Sequence, residues 1–392
     1  MKEIEHSLST MDLARYVFGD GGSTSVGLYP TSMANPLLGW ETSQSYNLGL
    51  DFTLFNNRLS GNIDLYSTKT TDLLLEVSIP SMTGYDKYLT NIGETQNRGI
   101  EVTLNSENIN TKDFSWSTSL NFSANANKIL HLSGEDLDGD GKEDDDIGKS
   151  RFIGYSMGSN YNYVFDGIWQ EGDDFSIDKS AKPGDIKFKD ISGNGSIGPE
   201  DRMVLHNNRP KFTMSMNNMF RYRDFTLSFL LDLRCGGYAA NNWINPGTEY
   251  YNRCNQLDLP YWTPENPLND RPSVGYSNPR GYGFYEKLTY LRLQDVSLAY
   301  SLPKSLIQKL TLNNVKVYVS GKNLATWTGW HGWDPEHASG GRASKNWSIN
   351  KIMGFGTSDQ FDNLKSVVKM KKFKIHSFVL FAYFIVGNAD VM

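Results

Sequence analysis

Apolar and polar residues alternate along much of this chain, the period of a strand with one face against an apolar medium. Tyr46, Leu48, Leu50, Phe52 and Leu54 interleave with Asn47, Gly49, Asp51 and Thr53. Asn56-Asn57-Arg58 then reads as a tight turn, after which Leu59, Gly61, Ile63 and Leu65 return opposite Ser60, Asn62 and Asp64. The cleanest run sets Phe114, Trp116, Thr118, Leu120, Phe122, Ala124 and Ala126 against Ser115, Ser117, Ser119, Asn121, Ser123 and Asn125. A second hairpin joins Phe212, Met214, Met216 and Phe220 to Phe225, Leu227, Phe229, Leu231 and Leu233 through Arg223-Asp224. Further strands are expected near Arg98–Asn105, Tyr290–Tyr300 and Val315–Val319, with a bulge where the apolar phase slips between Leu293 and Val296. Helical pattern is confined to Pro303–Leu310. The chain is expected to be all-β.

Alternation alone does not say whether the apolar face meets lipid or a protein core. The connections are more telling. Short ones at Asn56–Arg58, Glu107–Asp113, Arg223-Asp224 and Pro303–Thr311 alternate with long ones at about Thr68–Asn97, Asn127–Lys211, Arg234–Thr289 and after Gly321. In an up-and-down sheet alternate connections lie at opposite ends, so every tight turn falls on one rim and every elaborate loop on the other. Outer-membrane barrels segregate their loops in this way, and a soluble sandwich has no reason to. The expected fold is a partial transmembrane antiparallel β-barrel of roughly ten strands, with long extracellular loops and short periplasmic turns.

Composition agrees and narrows the field. A mean hydropathy of −0.48, with no apolar run of about 18 residues, excludes a multi-span helical membrane protein. It does not touch a barrel, whose strands need only about 9–11 residues of alternating polarity. The formal charge of −6, from 38 Lys+Arg against 44 Asp+Glu, removes the basic field that nucleic-acid binding relies on. Cys235 and Cys254 match no zinc spacing and either pair in an oxidising compartment or remain thiols.

Two Asp-rich segments are candidate calcium loops, since alternate oxygen ligands around a glycine bend can converge on a hard cation. In the first, Asp136, Asp138 and Asp140 supply alternate carboxylates, but the twelfth position is Ile147. In the second, Asp190, Ser192, Asn194 and Ser196 are closed by Asp201 at the twelfth position, with better spacing and fewer charges. A plain Asx/Gly turn explains either equally well. Trp262, Trp327, Trp330 and Trp333 stand among the aromatics of the long connections and are candidates for stacking on sugar faces, although packing within the loops or an interfacial girdle uses the same residues. No nucleophile elbow, metal-binding His-Glu-x-x-His or phosphate loop appears, so an enzyme is not expected. A glycoside hydrolase would need a carboxylate such as Glu265 or Glu336.

Longer motifs carry a family resemblance. Tyr261-Trp262-Thr263-Pro264-Glu265-Asn266-Pro267, the run from Tyr290 to Lys304, Val317 to Leu324 and Asp334-Pro335-Glu336 closely resemble the C-terminal barrel of SusC/RagA-type TonB-linked outer-membrane proteins. Asn35-Pro36, Trp40-Glu41-Thr42, Asn91-Ile92-Gly93-Glu94, Asn97 to Glu101 and Pro183-Gly184-Asp185-Ile186 fit the same family in order. The resemblance implies an importer of oligosaccharides or peptides, energised through TonB and capped by a SusD-like lipoprotein. It implies that residues 1–45 are the remnant of a preceding strand and loop, 46–340 the C-terminal part of the barrel, and 341–392 an atypical tail. A plug, a signal and a TonB-contacting segment are not expected within these residues, and no closing strand is evident after Gly341. Within the tail, 370–389 has a basic start and an apolar stretch like a signal peptide, so the reading frame is expected to cross a gene junction. A fragment of this kind is expected to be inactive alone. The competing class is a secreted, soluble, calcium- and glycan-binding β protein.

Overall fold

The computed structural model describes residues 10–18, 23–241, 244, 259–307, 314–332, 334–336 and 352–360. The strands in chain order are β1 Thr10–Phe18, β2 Ser23–Met33, β3 Thr42–Leu54, β4 Leu59–Ser78, β5 Lys87–Asn110, β6 Phe114–His131, β7 Ser159–Tyr163, β8 Phe165–Ile168 and β9 Ile186–Phe188. They continue as β10 Arg202–Asn207, β11 Phe212–Tyr222, β12 Phe225–Cys235, β13 Tyr238–Ala240, β14 Tyr285–Lys287, β15 Tyr290–Ser301, β16 Asn314–Thr328 and β17 Ile352–Gln360. Eleven of these strands share one sheet. Its body is the antiparallel succession β3, β4, β5, β6, β11, β12, β15, β16, β17, and the β1–β2 hairpin touches it where Ser32 and Met33 run parallel to Lys87 and Tyr88. Among the described residues β3 pairs only with β4 and β17 only with β16.

Backbone bonds link the tight turns directly to one another. The Glu107 N–H donates to Arg58 O (2.7 Å), the Arg223 N–H to Asp113 O (2.8 Å) and the Ser301 N–H to Asp224 O (2.9 Å). The Asn56-Asn57 and Arg223-Asp224 bends therefore lie on the same rim, as the parity of the connections requires. Left-handed backbone at Phe55, Asn56 and Asn57 (φ 54°, 56° and 66°) makes the first reversal, where asparagine tolerates the strain best.

Register aligns the apolar residues into one face. One row crosses the sheet through Leu50, Ile63, Val102, Phe122, Met214, Leu233, Leu291 and Trp327, and the next through Phe52, Gly61, Leu104, Leu120, Met216, Leu231, Leu293 and Ala325. Near the turns Phe114, Tyr222, Phe225, Tyr300 and Val317 form an aromatic row, with Phe225 and Tyr300 rings 4.7 Å apart. From Phe114 to Phe122 the strand climbs eight residues, about 27 Å at ~3.4 Å each, close to the apolar height of an outer-membrane barrel. The face is uncovered: Leu48 is 70% and Leu50 60% exposed. Its one buried amide, Asn218, accepts from Trp116 Nε1 (3.1 Å) and Thr118 Oγ1 (2.7 Å), which shields the polar group from the apolar side. The opposite face is polar, with Asp51, Asn62, Thr103, Asn121, Ser215, Asp232, Arg292 and Thr326 in one row.

The phase slip in β15 is a bulge: Leu293 opposes Leu231 and Asp295 opposes Leu230, leaving Gln294 unpaired. Two expectations need correction. The connection expected over Thr68–Asn97 is mostly strand, since β4 and β5 pair up to Ser78 opposite Lys87. The alternation breaks there because Asp72 (φ 57°) bulges, its carbonyl accepting from Asn91 Nδ2 (2.8 Å). A strand also follows Gly341, for β17 pairs along β16 and sets Met353 and Phe355 beside Gly321 and Val319. Gly354 and Gly356 dilute the pattern that would reveal it. The segment 370–389 lies outside the described residues.

The paired motifs of the first strands meet as a strap. Asn35 Nδ2 donates to Leu89 O (2.8 Å), the Gly39 N–H to Asn91 Oδ1 (2.8 Å), and the Leu74 N–H to Glu41 Oε1 (3.0 Å), which ties residues 35–41 across β4 and β5.

Candidate functional site

The described parts of the two longest connections, 132–211 and 236–289, fold together into a cap at the end opposite the tight turns. The hairpins β7–β10, β8–β9 and β13–β14 frame it. Its core gathers Tyr163, Ile168, Ile186, Phe188, Trp262, Tyr276, Tyr282 and Phe284 from both connections. Burial drives this: Phe188 and Ile168 are each 1% exposed. Burial, with a smaller push from Tyr285, raises the Tyr282 phenol to about 12 and keeps it neutral at physiological pH. Arg280 Nη1 reaches Asp178 Oδ2 at 2.6 Å and tethers the second connection to the first.

Pro183-Gly184-Asp185-Ile186 acquires a physical reason in this core. Gly184 adopts φ +89°, and a Cβ there would lie 2.5 Å from Trp262 Cε3, so only glycine lets that ring seat. The Trp262 Nε1 donates to Gln170 Oε1 (2.8 Å). Trp262 is thus a keystone of the cap, buried at 7%, and does not present its ring at a mouth. Trp330 is likewise buried, against Ala239 and Leu288. Trp327 is exposed but sits on the apolar face in the row of Phe122 and Leu291, the place of an upper girdle. Trp333 lies outside the described residues. The three described rings, Trp262, Trp327 and Trp330, are therefore not brought together.

A second constellation forms on the polar face where the wall meets the cap. Arg292 is 2% exposed. Its Nη2 donates to both Asp334 oxygens (2.8 and 2.9 Å), Nη1 to Glu336 Oε2 (2.5 Å) and Nε to Thr326 Oγ1 (3.1 Å). The guanidinium also lies 4.7 Å over the Tyr290 ring, whose hydroxyl donates to Asp232 Oδ2 (3.1 Å). His331 Nδ1 lies 2.6 Å from Glu286 Oε1, and Asn241 Nδ2 donates to His331 O and to Glu286 Oε2 (2.7 Å). Residues 330–332 and 334–336 are therefore anchored at three points: the Trp330 indole against Ala239 and Leu288, His331 against Glu286 of the β13–β14 hairpin, and Asp334 with Glu336 against Arg292 of the wall. Arg292 was legible in principle, as a cation in phase with the polar face, and the Asp334-Pro335-Glu336 motif supplies its partners.

The calcium candidates are built unevenly. Asp136, Asp138 and Asp144 each bring a carboxylate oxygen within 4.8 Å of the others, so Asp144 rather than Asp140 completes the first group. Asp144 is the ninth position of the loop count begun at Asp136, a place that in such loops supplies a ligand. Asp136 also accepts the N–H groups of Gly139, Asp140 and Gly141, and Asp140 accepts from Lys142. In the second loop Asp190 accepts from Gly193 and Gly195, and Asn194 from the N–H and hydroxyl of Ser196. Ser192 Oγ donates to Asp190 Oδ1 (3.2 Å). Asp201 is fully buried and takes N–H bonds from Ile191 (3.0 Å), Ser192 (2.9 Å) and Gly198 (2.8 Å). Burial alone would raise its pKa, but these bonds outweigh it and hold the carboxyl below its ordinary value. Cys235 is a free thiol, and Cys254 lies outside the described residues.

Tight turns on one rim, an uncovered apolar band with aromatic margins, a polar inner face and a folded outer cap define the wall of an outer-membrane β-barrel. The sequence matches the family described as TonB dependent receptor-like, beta-barrel over residues 12–324, and the chain belongs to that family. It is 37% identical over 321 residues to TonB-dependent receptor P3 of Formosa agariphila, covering 79% of this chain and 32% of that protein. It is 30% identical over 349 residues to TonB-dependent receptor SusC of Bacteroides thetaiotaomicron, covering 84% of this chain and 32% of SusC. Among solved structures it resembles the RagAB peptide importer in its open-open state, with a TM-score of 0.68 and 22% identity over 90% of this chain and 37% of that one. A second RagAB peptide transporter structure gives a TM-score of 0.67 at 24% identity, over 90% of this chain and 38% of that one. These structures share the fold. The chain spans about a third of the length of the curated relatives it matches. The family is one of transporters and receptors rather than an enzyme family.

Proposed function

We propose that this chain forms the C-terminal part of the wall of a SusC/RagA-like outer-membrane importer. It acts with a SusD-like lipoprotein over the cap, is energised through TonB, and passes oligosaccharides or peptides along the polar face. The observation that carries the reading is the joining of the tight turns on one rim beneath an uncovered apolar band. In water that band would drive aggregation; in lipid it is satisfied. Open edges leave backbone groups unpaired, at several kcal/mol each in hydrocarbon, so the chain works only with further strands beside β3 and β17. Calcium, where it binds the Asp136–Asp144 loop, stiffens the cap.

Fractionation of cells expressing the chain tests this. The expected result is an outer-membrane, detergent-requiring species that becomes heat-modifiable and protease-resistant only when the missing strands are supplied. A monomer soluble without detergent that binds glycans would replace the importer by the secreted β protein.

A further inference from the structure

A cleft of about 200 Å³ opens on the outer rim, where β4 and β5 overhang the rest of the sheet. The overhang is real in the ladders: β5 pairs with β4 from Lys87 onward but with β6 only from Glu94. Residues 132–151 fold back onto it, and Lys149 Nζ donates to Glu76 O (2.9 Å). The floor is aliphatic, with Leu75, Val77, Ile92 and Leu132, and the exposed Leu137 stands at its rim. No aromatic ring lines it, so it lacks the flat apolar faces on which sugars stack.

The charge around this floor is one-sided. Its two cations, Lys149 and Arg151, stand 4.0 Å from Glu76 and Asp146, and Glu76 also pairs with Lys87 at 2.6 Å. Among the described residues no cation answers Glu135, Asp144 or Asp145, which also line the cleft. Asp144 accepts only the Leu137 N–H (2.6 Å) and Asp145 only the Ile153 N–H (2.6 Å). Carboxylates beside an apolar, water-poor wall focus a negative potential on whatever enters. A cleft smaller than a drug-sized pocket, which starts near ~300 Å³, takes one residue or a chain end rather than a whole ligand.

We infer that this cleft holds the aliphatic, amine-bearing end of a peptide, its side chain on the aliphatic floor and its ammonium facing Glu135 and Asp145. The inference rests on the importer reading, because only that reading turns the overhang outward, and it favours peptides over oligosaccharides as the cargo met there.

Fluorescence anisotropy on detergent-extracted outer membranes holding the chain in its assembly provides the test, with Leu-Leu-Gly-Gly labelled at its C-terminus as the probe. The amine-free, N-acetylated probe is expected to bind about tenfold more weakly, and the Glu135→Gln, Asp145→Asn double variant to lose a similar factor, the sum of two exposed charge pairs. Equal binding of the free and acetylated probes overturns the inference, as does displacement of the probe by maltohexaose. Should the double variant fail to assemble, the acetylation comparison on the unaltered protein still decides. A heat-modifiable outer-membrane species that ignores the probe sinks the cleft alone; a chain soluble without detergent sinks the importer.

Discussion

In the wall, Leu48 and Leu50 stand well over half exposed, whereas in the cap Phe188 and Ile168 are sealed at 1%. The same kinds of side chain point outward in one region and inward in the other. The wall takes its order from ladders of backbone bonds and leaves its apolar face to lipid. The cap, carried into water, has to bury its own rings and does so as a small soluble domain would. A hydrophobic residue therefore means different things more than a hundred residues apart in one chain, and the element that carries it decides which.

Substitutions sharpen that contrast, beginning at the junction of the two regions. Arg292→Met leaves Asp334 and Glu336 facing a buried site without their cation, at about 3 kcal/mol, the low end for a broken buried pair because Glu336 is half exposed. Limited proteolysis should then cut between β16 and β17. Adding Asp334→Asn and Glu336→Gln should recover part of the loss, and if it does not, the guanidinium acts by packing alone. Next comes Met216→Arg, in the middle apolar row, which should cost about 2–4 kcal/mol of folding in bilayers. Ser215→Arg, one residue away on the polar face, should fold nearly as well, and equal damage from both would contradict the sidedness of the wall. Gly184→Ala should cost about 2 kcal/mol through its positive φ and the clash with Trp262, read as a shift in tryptophan emission while the wall keeps its heat-modifiability.

The smallest effect is a pH dependence. The Asp201 carboxyl titrates below its ordinary value of 3.8 in the folded cap, so its contribution is present above about pH 4 and is lost as pH falls through the depressed value. Amide exchange at Ile191, Ser192 and Gly198 should accelerate only on that acid side. Acceleration near neutrality would mean that another group holds the loop.

Much of the wall was legible because a period of two over long strands is a property of sequence, as is the contrast between tight turns and long excursions, even though the connection expected over Thr68–Asn97 shrinks to residues 79–86. The slip at Leu293–Val296 revealed the bulge at Gln294 by the same logic. Legibility failed where the period itself breaks or thins. Asp72 interrupts β4, and glycines occupy every second place in the middle of β17. The cap was harder still, because its order comes from contacts such as Gly184 with Trp262 and Arg280 with Asp178, about 80 and 100 residues apart. An aromatic in a long connection looks the same whether it will stack on a sugar or seal a core, so Trp262 and Trp330 were named while the buried Arg292 passed unmarked.

The bonds from Glu107 to Arg58, Arg223 to Asp113 and Ser301 to Asp224 stitch each hairpin to the next along the periplasmic border. Each hairpin thus carries its own address, independent of the backbone thread overhead. Severing the polypeptide in any of the great outer excursions and delivering the two pieces separately should still let neighbours find their partners. Genes for such walls can accordingly be divided, recombined and lengthened on the outer side without rewriting the staves.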